Sequence, residues 1–408
     1  MRYCLLIILL LPAYFGYTQS AADLNFRYKE ITLPELMKKK QSGGNDFIIL
    51  DVRSRGEYSD TLSGAKHLNI GHIKGAINIP IQELQQKPEA LQQLEQYRDK
   101  EIYVICSHSY RSRVISKLLI EKNFPHVTNV NGGMSEWFRN YDELKPFAKQ
   151  FYENNINYGN ISPANVFEKL NKNDPVMLIG FKNQPTYFYD SMLVNFYNLF
   201  PDLKNAVYFS ASDSVAALAK AKSAGGRTIV TFNVVGNGGA EMASWFTDNG
   251  IKNVYYMPGN LGGYFEYMVN YQPSVALKNN FTDKNKIHFY SGLSLCRALN
   301  SQLNIQLVDL RHDTLFNKAT VGTKHTYKYL KGAVNFPYYR SADDFAKQFP
   351  DKSKEYVILQ RQFTVDTELV NGLLAKGYRI GWLLGTNERW EWYVNNVEEF
   401  SCRDYFVK

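Results

Sequence analysis

Short apolar runs rich in β-branched residues alternate along the chain with longer segments of helical period, the pattern of an α/β protein with a mostly parallel sheet. The first third shows it cleanly. Leu33–Gln41 (LPELMKKKQ) reads as a helix, Phe47–Val52 (FIILDV) as a buried strand, and Glu83–Tyr97 as a helical stretch interrupted at Pro88. Ile102–Cys106 (IYVIC) is a second strand. The helix that follows from about Arg111 places Val114, Ile115, Leu118 and Leu119 on one face, and His126–Val130 forms a third strand. A helix starting near Met134 closes the unit.

The same pattern returns twice. Asp51 ends an apolar strand, Gly180 stands at the same place in PVMLIGF and Asp309 in IQLVDLR, at spacings of 129 residues. GHIKGAINIP (Gly71–Pro80) is echoed by LKNAVYFS (Leu203–Ser210) and YLKGAVNFP (Tyr329–Pro337). Cys106, Asn233 and Gln360 end a further strand in each copy, 127 residues apart. The repeats bound three units, 28–145, 157–272 and 286–402, with polar, Asn- and Lys-rich breaks at 147–159 and 277–286.

Composition narrows the class. With 408 residues, 45% hydrophobic and 21% charged, the chain has the make-up of a multidomain folded protein, not of a disordered one. The excess of 47 Lys plus Arg over 39 Asp plus Glu is small for this length and spread out, so it favours anionic substrates only weakly. Without a basic run interleaved with aromatics or a nucleic-acid-binding motif, no nucleic-acid partner is expected. Residues 1–20 hold one Arg, an apolar core from Cys4 to Gly16 and small residues Thr18 and Ser20 before Ala21, the layout of a cleaved signal peptide, with a cut after Ala22 fitting as well and an uncleaved anchor as the other reading. The expected location is therefore exported, periplasmic or secreted, with no membrane span after cleavage.

The chemistry concentrates in Cys106–Ser112 (CSHSYRS), between a strand and the start of an amphipathic helix. Successive amides of such a loop and the positive end of the helix stabilise negative charge, so a cysteine there is expected to ionise readily, with Arg111 adding a full charge. An ionised sulfur beside an anion cradle suits covalent catalysis. A lone cysteine at a strand end is more often a small core residue, and only the motifs around this one reverse that reading.

Those motifs are Asp51–Arg53 (DVR), Glu57–Tyr58 (EY), GHIKGAINIP, the six-residue loop with Ser112, and Asn131–Trp137 (NGGMSEW). Together they resemble a rhodanese domain, strongly over about 28–140 and weakly over the rest. The resemblance implies an α/β fold of three tandem rhodanese-like domains, each a mostly parallel central sheet flanked by helices. It further implies a thiosulfate sulfurtransferase type of enzyme. Cys106 is then the nucleophile and persulfide carrier, Ser107, His108, Ser109 and Tyr110 supply the loop amides, and Arg111 binds a small anionic sulfur donor. The acceptor would be a thiol or cyanide. No cofactor and no metal are implied, and His67, His72 and His108 match no usual zinc spacing.

Phosphatases and arsenate reductases of related fold carry one more loop residue, so six residues point to sulfur. The loop departs from common versions in having no Gly, and Thr61–Ile70 (TLSGAKHLNI) is an insertion. Its echo, GTKH at 322–325 against GAKH at 64–67, marks it as architectural, with a role as a rim over the site as the other reading. Asn233 and Gln360 replace the nucleophile, so the second and third copies are expected to be structural or to dock a protein partner. The alternative function is a non-enzymatic scaffold with Cys106 as sulfur carrier or redox sensor. Once Cys4 leaves with the signal, Cys296 and Cys402 are candidates for a disulfide, and Cys106 is left as the unpaired thiol.

Overall fold

The computed structural model describes residues 29–43, 46–139, 141–182, 201–235, 238–272, 274–282, 287–301, 303–316, 329–359, 367–384, 390 and 401–407. The signal-like segment 1–20, the 322–325 echo and Gln360 lie outside them.

Local signals set the first elements. Strand β1 (Lys29–Thr32) runs into the helix Leu33–Gln41, whose start is fixed by a reciprocal Thr32–Glu35 capping box and Pro34 in the first turn. Then come β2 (Phe47–Asp51), β3 (His72–Ile73), β4 (Ile77–Asn78), β5 (Glu101–Ile105) and β6 (Val127–Asn131). The order across the sheet is β1-β6-β5-β2-β4, and every pairing is parallel. As expected, the helical stretch around Pro88 is broken, into Ile81–Gln86 and Pro88–Gln92.

Two expectations shift. The helix Tyr110–Glu121 buries Ser112, Ile115, Ser116 and Leu119, while Val114 and Leu118 are only partly buried. Two serines on the inner face let the helix lie close to the sheet. The stretch from Phe147, read as a break, is instead the end of the helix Tyr141–Phe151, with Phe147 and Phe151 buried beside Trp137 and Leu144. Strand β7 (Tyr152–Glu153) then pairs antiparallel with β3 and ties the exit of the first unit back to its GHIKGA turn.

The next sheet contains β8 (Gly159–Asn160), β9 (Val176–Lys182), β10 (Ala206–Phe209), β11 (Thr228–Val235) and β12 (Val254–Tyr256). The last contains β13 (Ile287–Tyr290), β14 (Ile305–Asp309), β16 (Val334–Asn335), β17 (Glu355–Leu359) and β18 (Arg379–Leu383). A short antiparallel pair, β15 (Tyr329–Leu330) with β19 (Phe406–Val407), brings the chain end back onto the third unit. Reading each sheet by the order of its strands along the chain gives one answer three times: first, fifth, fourth, second, third, all parallel. The architecture is thus α/β, with three mostly parallel sheets flanked by helices. Cys296, in the helix Gly292–Asn300, and Cys402 form a disulfide that closes the third unit on itself, and Cys106 is the unpaired cysteine among the described residues.

Register places the motifs. Asp51 lies opposite Ile105 on one side and Asn78 on the other, so the DVR, INIP and Cys106 segments leave the sheet together at the carboxyl ends of adjacent strands. That edge is where open parallel sheets bind ligands.

Candidate active site

The floor of the site is a buried ion pair. Asp51 and Arg53 are both fully buried, with the Arg53 guanidinium donating to the carboxylate at 2.7 and 3.0 Å and to the Gly71 carbonyl at 2.8 Å. The Asn78 amide donates to the carbonyls of Asp51 and Arg53, each at 2.9 Å. These contacts lock the GHIKGAINIP segment to the end of β2. The third unit repeats them: Arg311 grips Asp309 at 2.6 and 2.9 Å, and Asn335 donates to the carbonyls of both.

Above this floor the chain turns out of β5 at Cys106, which is 1% exposed. Ser109 adopts φ +76° to complete the turn, and its hydroxyl donates to the Val130 carbonyl at 3.2 Å. The Ser112 hydroxyl, donating to the Ser109 carbonyl at 3.0 Å and to the Asn129 side chain at 2.7 Å, fixes the first turn of the helix.

The NGGMS segment holds the loop from outside. Met134 N–H donates to the Cys106 carbonyl at 2.8 Å and Ser135 N–H to the Ser107 carbonyl at 3.1 Å. A trans peptide points its carbonyl and the following N–H in opposite directions, so the Ser107 and His108 amides face away from that segment, into the loop. Gly133 permits the approach: it sits at φ +61°, and a Cβ there would lie 2.3 Å from the Cys106 carbonyl oxygen. The amides of Ser107, Ser109 and Arg111 have no acceptor among the described residues. Paired backbone donors are the rule in buried structure, and such a row of unpaired N–H groups at a helix start is an anion cradle.

Arg111 differs from the expectation of a full positive charge at the loop. Its guanidinium is gripped by Glu57 through two hydrogen bonds of 2.6 Å and also donates to the Ser107 hydroxyl at 3.0 Å. Burial alone would raise the Glu57 carboxyl, but Arg111 and the Ser54 cap outweigh it and hold the group below the ordinary carboxylate range. Arg111 is held charged by the same partner, against a burial that would lower it. The pair is neutral overall, so Arg111 braces the loop through Ser107 and presents only its remaining donors to an anion. Glu57 is the residue that motif reading did not assign a task. Its signal was the capping box Ser54-x-x-Glu57, which the structure forms at the start of the helix Arg55–Ser59.

The site residues read from sequence thus fall in one loop: Ser107 and Ser109 are buried, Tyr110 and Arg111 are half-buried and the His108 side chain is exposed. At the corresponding position of the second unit a strand residue, Asn233, ties its own strand to the helix that follows. Asn233 is 1% exposed, its side-chain oxygen accepts the Gly239 N–H, and its own N–H donates to Asn260 at 3.2 Å.

A family model for the rhodanese-like domain matches residues 32–140. Among curated proteins, the chain is similar to a putative sulfur carrier protein, YrkF of Bacillus subtilis, at 32% identity over 108 residues, 26% of this chain and 50% of that protein. It is also similar to the adenylyltransferase and sulfurtransferase UBA4 of Meyerozyma guilliermondii, at 26% over 106 residues, 25% of this chain and 23% of that one. The match thus spans half or less of these curated relatives. A solved rhodanese-related protein from Thermoplasma volcanium is 31% identical, covering 28% of this chain and 93% of that one, with a TM-score of 0.22. Residues 32–140 of this chain are a rhodanese-like domain.

Proposed function

We propose that the chain is a sulfurtransferase: Cys106 takes a sulfane sulfur from thiosulfate or a persulfide and passes it to a thiol or cyanide. The observation that carries this is the set of amides at Ser107, Ser109 and Arg111 that have no acceptor among the described residues, behind a cysteine whose own carbonyl and that of Ser107 are tied outward. A cysteine that merely filled the core would not need it. The persulfide, R–S–S⁻, puts its charge on the outer sulfur, where such donors stabilise it. The stretches 157–272 and 286–402 are read as silent rhodanese-like copies, the second because Asn233 fills its own cradle. A Cys296–Cys402 disulfide suits an oxidising compartment, in keeping with export after loss of residues 1–20.

A second reading, a sulfur carrier or sensor serving a protein partner, draws support from the 1% exposure of Cys106. Intact mass after incubation with thiosulfate, then with a small thiol, separates the two. A gain of about 32 Da on the wild type, absent from Cys106→Ser and lost again to the thiol with turnover, is expected of the enzyme. An adduct that no small thiol or cyanide discharges favours the carrier, and an equal adduct on Cys106→Ser refutes the assigned nucleophile.

A further inference from the structure

Asp60 stands at the joint between the first two units. It ends the helix Arg55–Ser59, which carries Glu57, at φ +58° with its N–H on the Gly56 carbonyl. Asp60 is 7% exposed, and each of its carboxylate oxygens takes one backbone N–H at 3.0 Å: Oδ1 that of Gly71, Oδ2 that of Asn155. A carboxylate this buried is costly unless it is hydrogen-bonded; burial pushes the group up, and the two amides oppose it. Neither amide belongs to the helix that Asp60 ends. Gly71 opens the GHIKGA turn, and Asn155 lies between β7 and β8, where its side chain also donates to the Ser59 carbonyl at 3.4 Å.

Contacts run from Asp60 in both directions. Inward, the Gly71 carbonyl receives the Arg53 guanidinium at 2.8 Å, and Arg53 also donates to the Glu57 carbonyl at 3.5 Å. Glu57 in turn grips Arg111, which holds the Ser107 hydroxyl. Outward, Asn157 donates to the Asp248 carboxylate at 2.7 Å and to the Ser244 carbonyl at 3.3 Å, both on the helix Gly238–Asp248. The same helix holds the insertion 61–70, because Lys66 donates through its N–H to Glu241 at 3.1 Å and through its ammonium to the Ser244 hydroxyl at 2.6 Å. One helix of the second unit thus grips both segments that Asp60 ties together, the insertion that ends at Gly71 and the exit that passes Asn155. Gly71 has no slack of its own, since a Cβ there would lie 2.5 Å from the Tyr152 ring.

We propose that Asp60 is a positioning residue through which the second unit seats the Glu57 helix, and with it Arg111, for the anionic sulfur donor. The proposal rests on the sulfurtransferase reading and gives the second unit a task in the first unit's site. Asp60 itself touches no substrate. It acts through Arg111, whose N–H groups left over from Glu57 and Ser107 meet the anion, so a displaced helix weakens binding of thiosulfate before it slows the transfer of sulfur.

Loading of the full mature chain is timed by intact mass over a series of thiosulfate concentrations, and unloading with 2-mercaptoethanol. Asp60→Asn keeps one acceptor and loses the other. It is expected to need about tenfold more thiosulfate for half-maximal loading, with the maximal loading rate and the unloading rate within about twofold of wild type. Glu241→Leu combined with Asn157→Ala loosens the second unit instead; one Glu241 oxygen is buried without a partner, so its loss is cheap. That pair should show the same split at about threefold, and should add nothing further to Asp60→Asn, since both act along one route. Shifts that multiply to about thirtyfold overturn the proposal, because independent sites add in free energy. So does an unchanged thiosulfate requirement, or a joint fall of loading, unloading and stability in urea. If Asp60→Asn does not fold, the Glu241→Leu, Asn157→Ala chain decides alone: a raised half-saturation at an unchanged maximal rate supports the proposal, and an unchanged one overturns it. A wild-type chain that takes up no sulfur overturns the sulfurtransferase reading itself.

Discussion

Strands β5 and β11 hold the same place in two sheets of identical strand order, and they end differently. Strand β5 stops at Ile105 and the chain turns away at Cys106; β11 runs on to Val235, with an irregular register between Asn233 and Val235. In the first loop the Cys106 and Ser107 carbonyls are bound from outside, and the amides of Ser107, Ser109 and Arg111 have no acceptor among the described residues. In the second, the Asn233 carboxamide satisfies the helix start itself. The parallel sheet therefore supplies an address, the carboxyl ends of its central strands, and the loop decides whether an anion can use it. The third unit sharpens the point. Its Asp309–Arg311 pair and Asn335 copy Asp51–Arg53 and Asn78 contact for contact in a unit whose sequence offers no nucleophile, so this buried pair is chassis.

The largest expected effect tests whether the loop or its side chain is what silences the second unit. In a Cys106→Ser background, Asn233→Cys should gain no persulfide from thiosulfate by peptide mass mapping, because the strand still runs through the position. Sulfur uptake by the thiol introduced in that variant would mean that the nucleophile alone separates the two units.

Next comes the brace. Gly133→Ala places a Cβ 2.3 Å from the Cys106 carbonyl oxygen at φ +61°. It should destabilise by about 1–3 kcal/mol in urea melts and cut loading at least about tenfold. Gly263→Ala, in the helix Asn260–Tyr271 with nothing within 4 Å of the added atom, should instead be neutral or stabilising by up to about 1 kcal/mol. Similar losses for both would show that the NGGMS segment does no special work at the loop.

The last effect, confined to stability, concerns charge. Glu57→Gln loses the bidentate grip on Arg111 and should cost about 1.5–3 kcal/mol at neutral pH. Glu57 is depressed below its ordinary 4.5 in the fold, so its contribution is complete above that value and fades as pH falls through the lowered one. The gap between wild type and variant in urea melts should therefore close on acidification; a gap that widens toward acid would contradict the assigned pairing.

The hydrophobic period alone located Leu33–Gln41, Phe47–Asp51 and the strand before Cys106, and the 127-residue spacing aligned Asn233 with Cys106, although it lies inside β11 and not at its end. These are local or repeated signals: strand period, capping boxes and turn residues act within a few positions of the chain. Tertiary structure decided what depends on partners far along it. It set Glu57 against Arg111, 54 residues away, neutralising a charge that the loop sequence offers whole. It joined Cys296 to Cys402 across 106 residues and docked Lys66 on Glu241 across 175. It chose Ser112 and Ser116 over Val114 and Leu118 for the inner face of the helix, since the rotation of that helix is fixed by Asn129 and the sheet beneath it. Whether an arginine is bare or braced, and whether a cradle is open or filled, depends on which groups the packed chain brings within hydrogen-bond reach, and no short-range pattern encodes that distance.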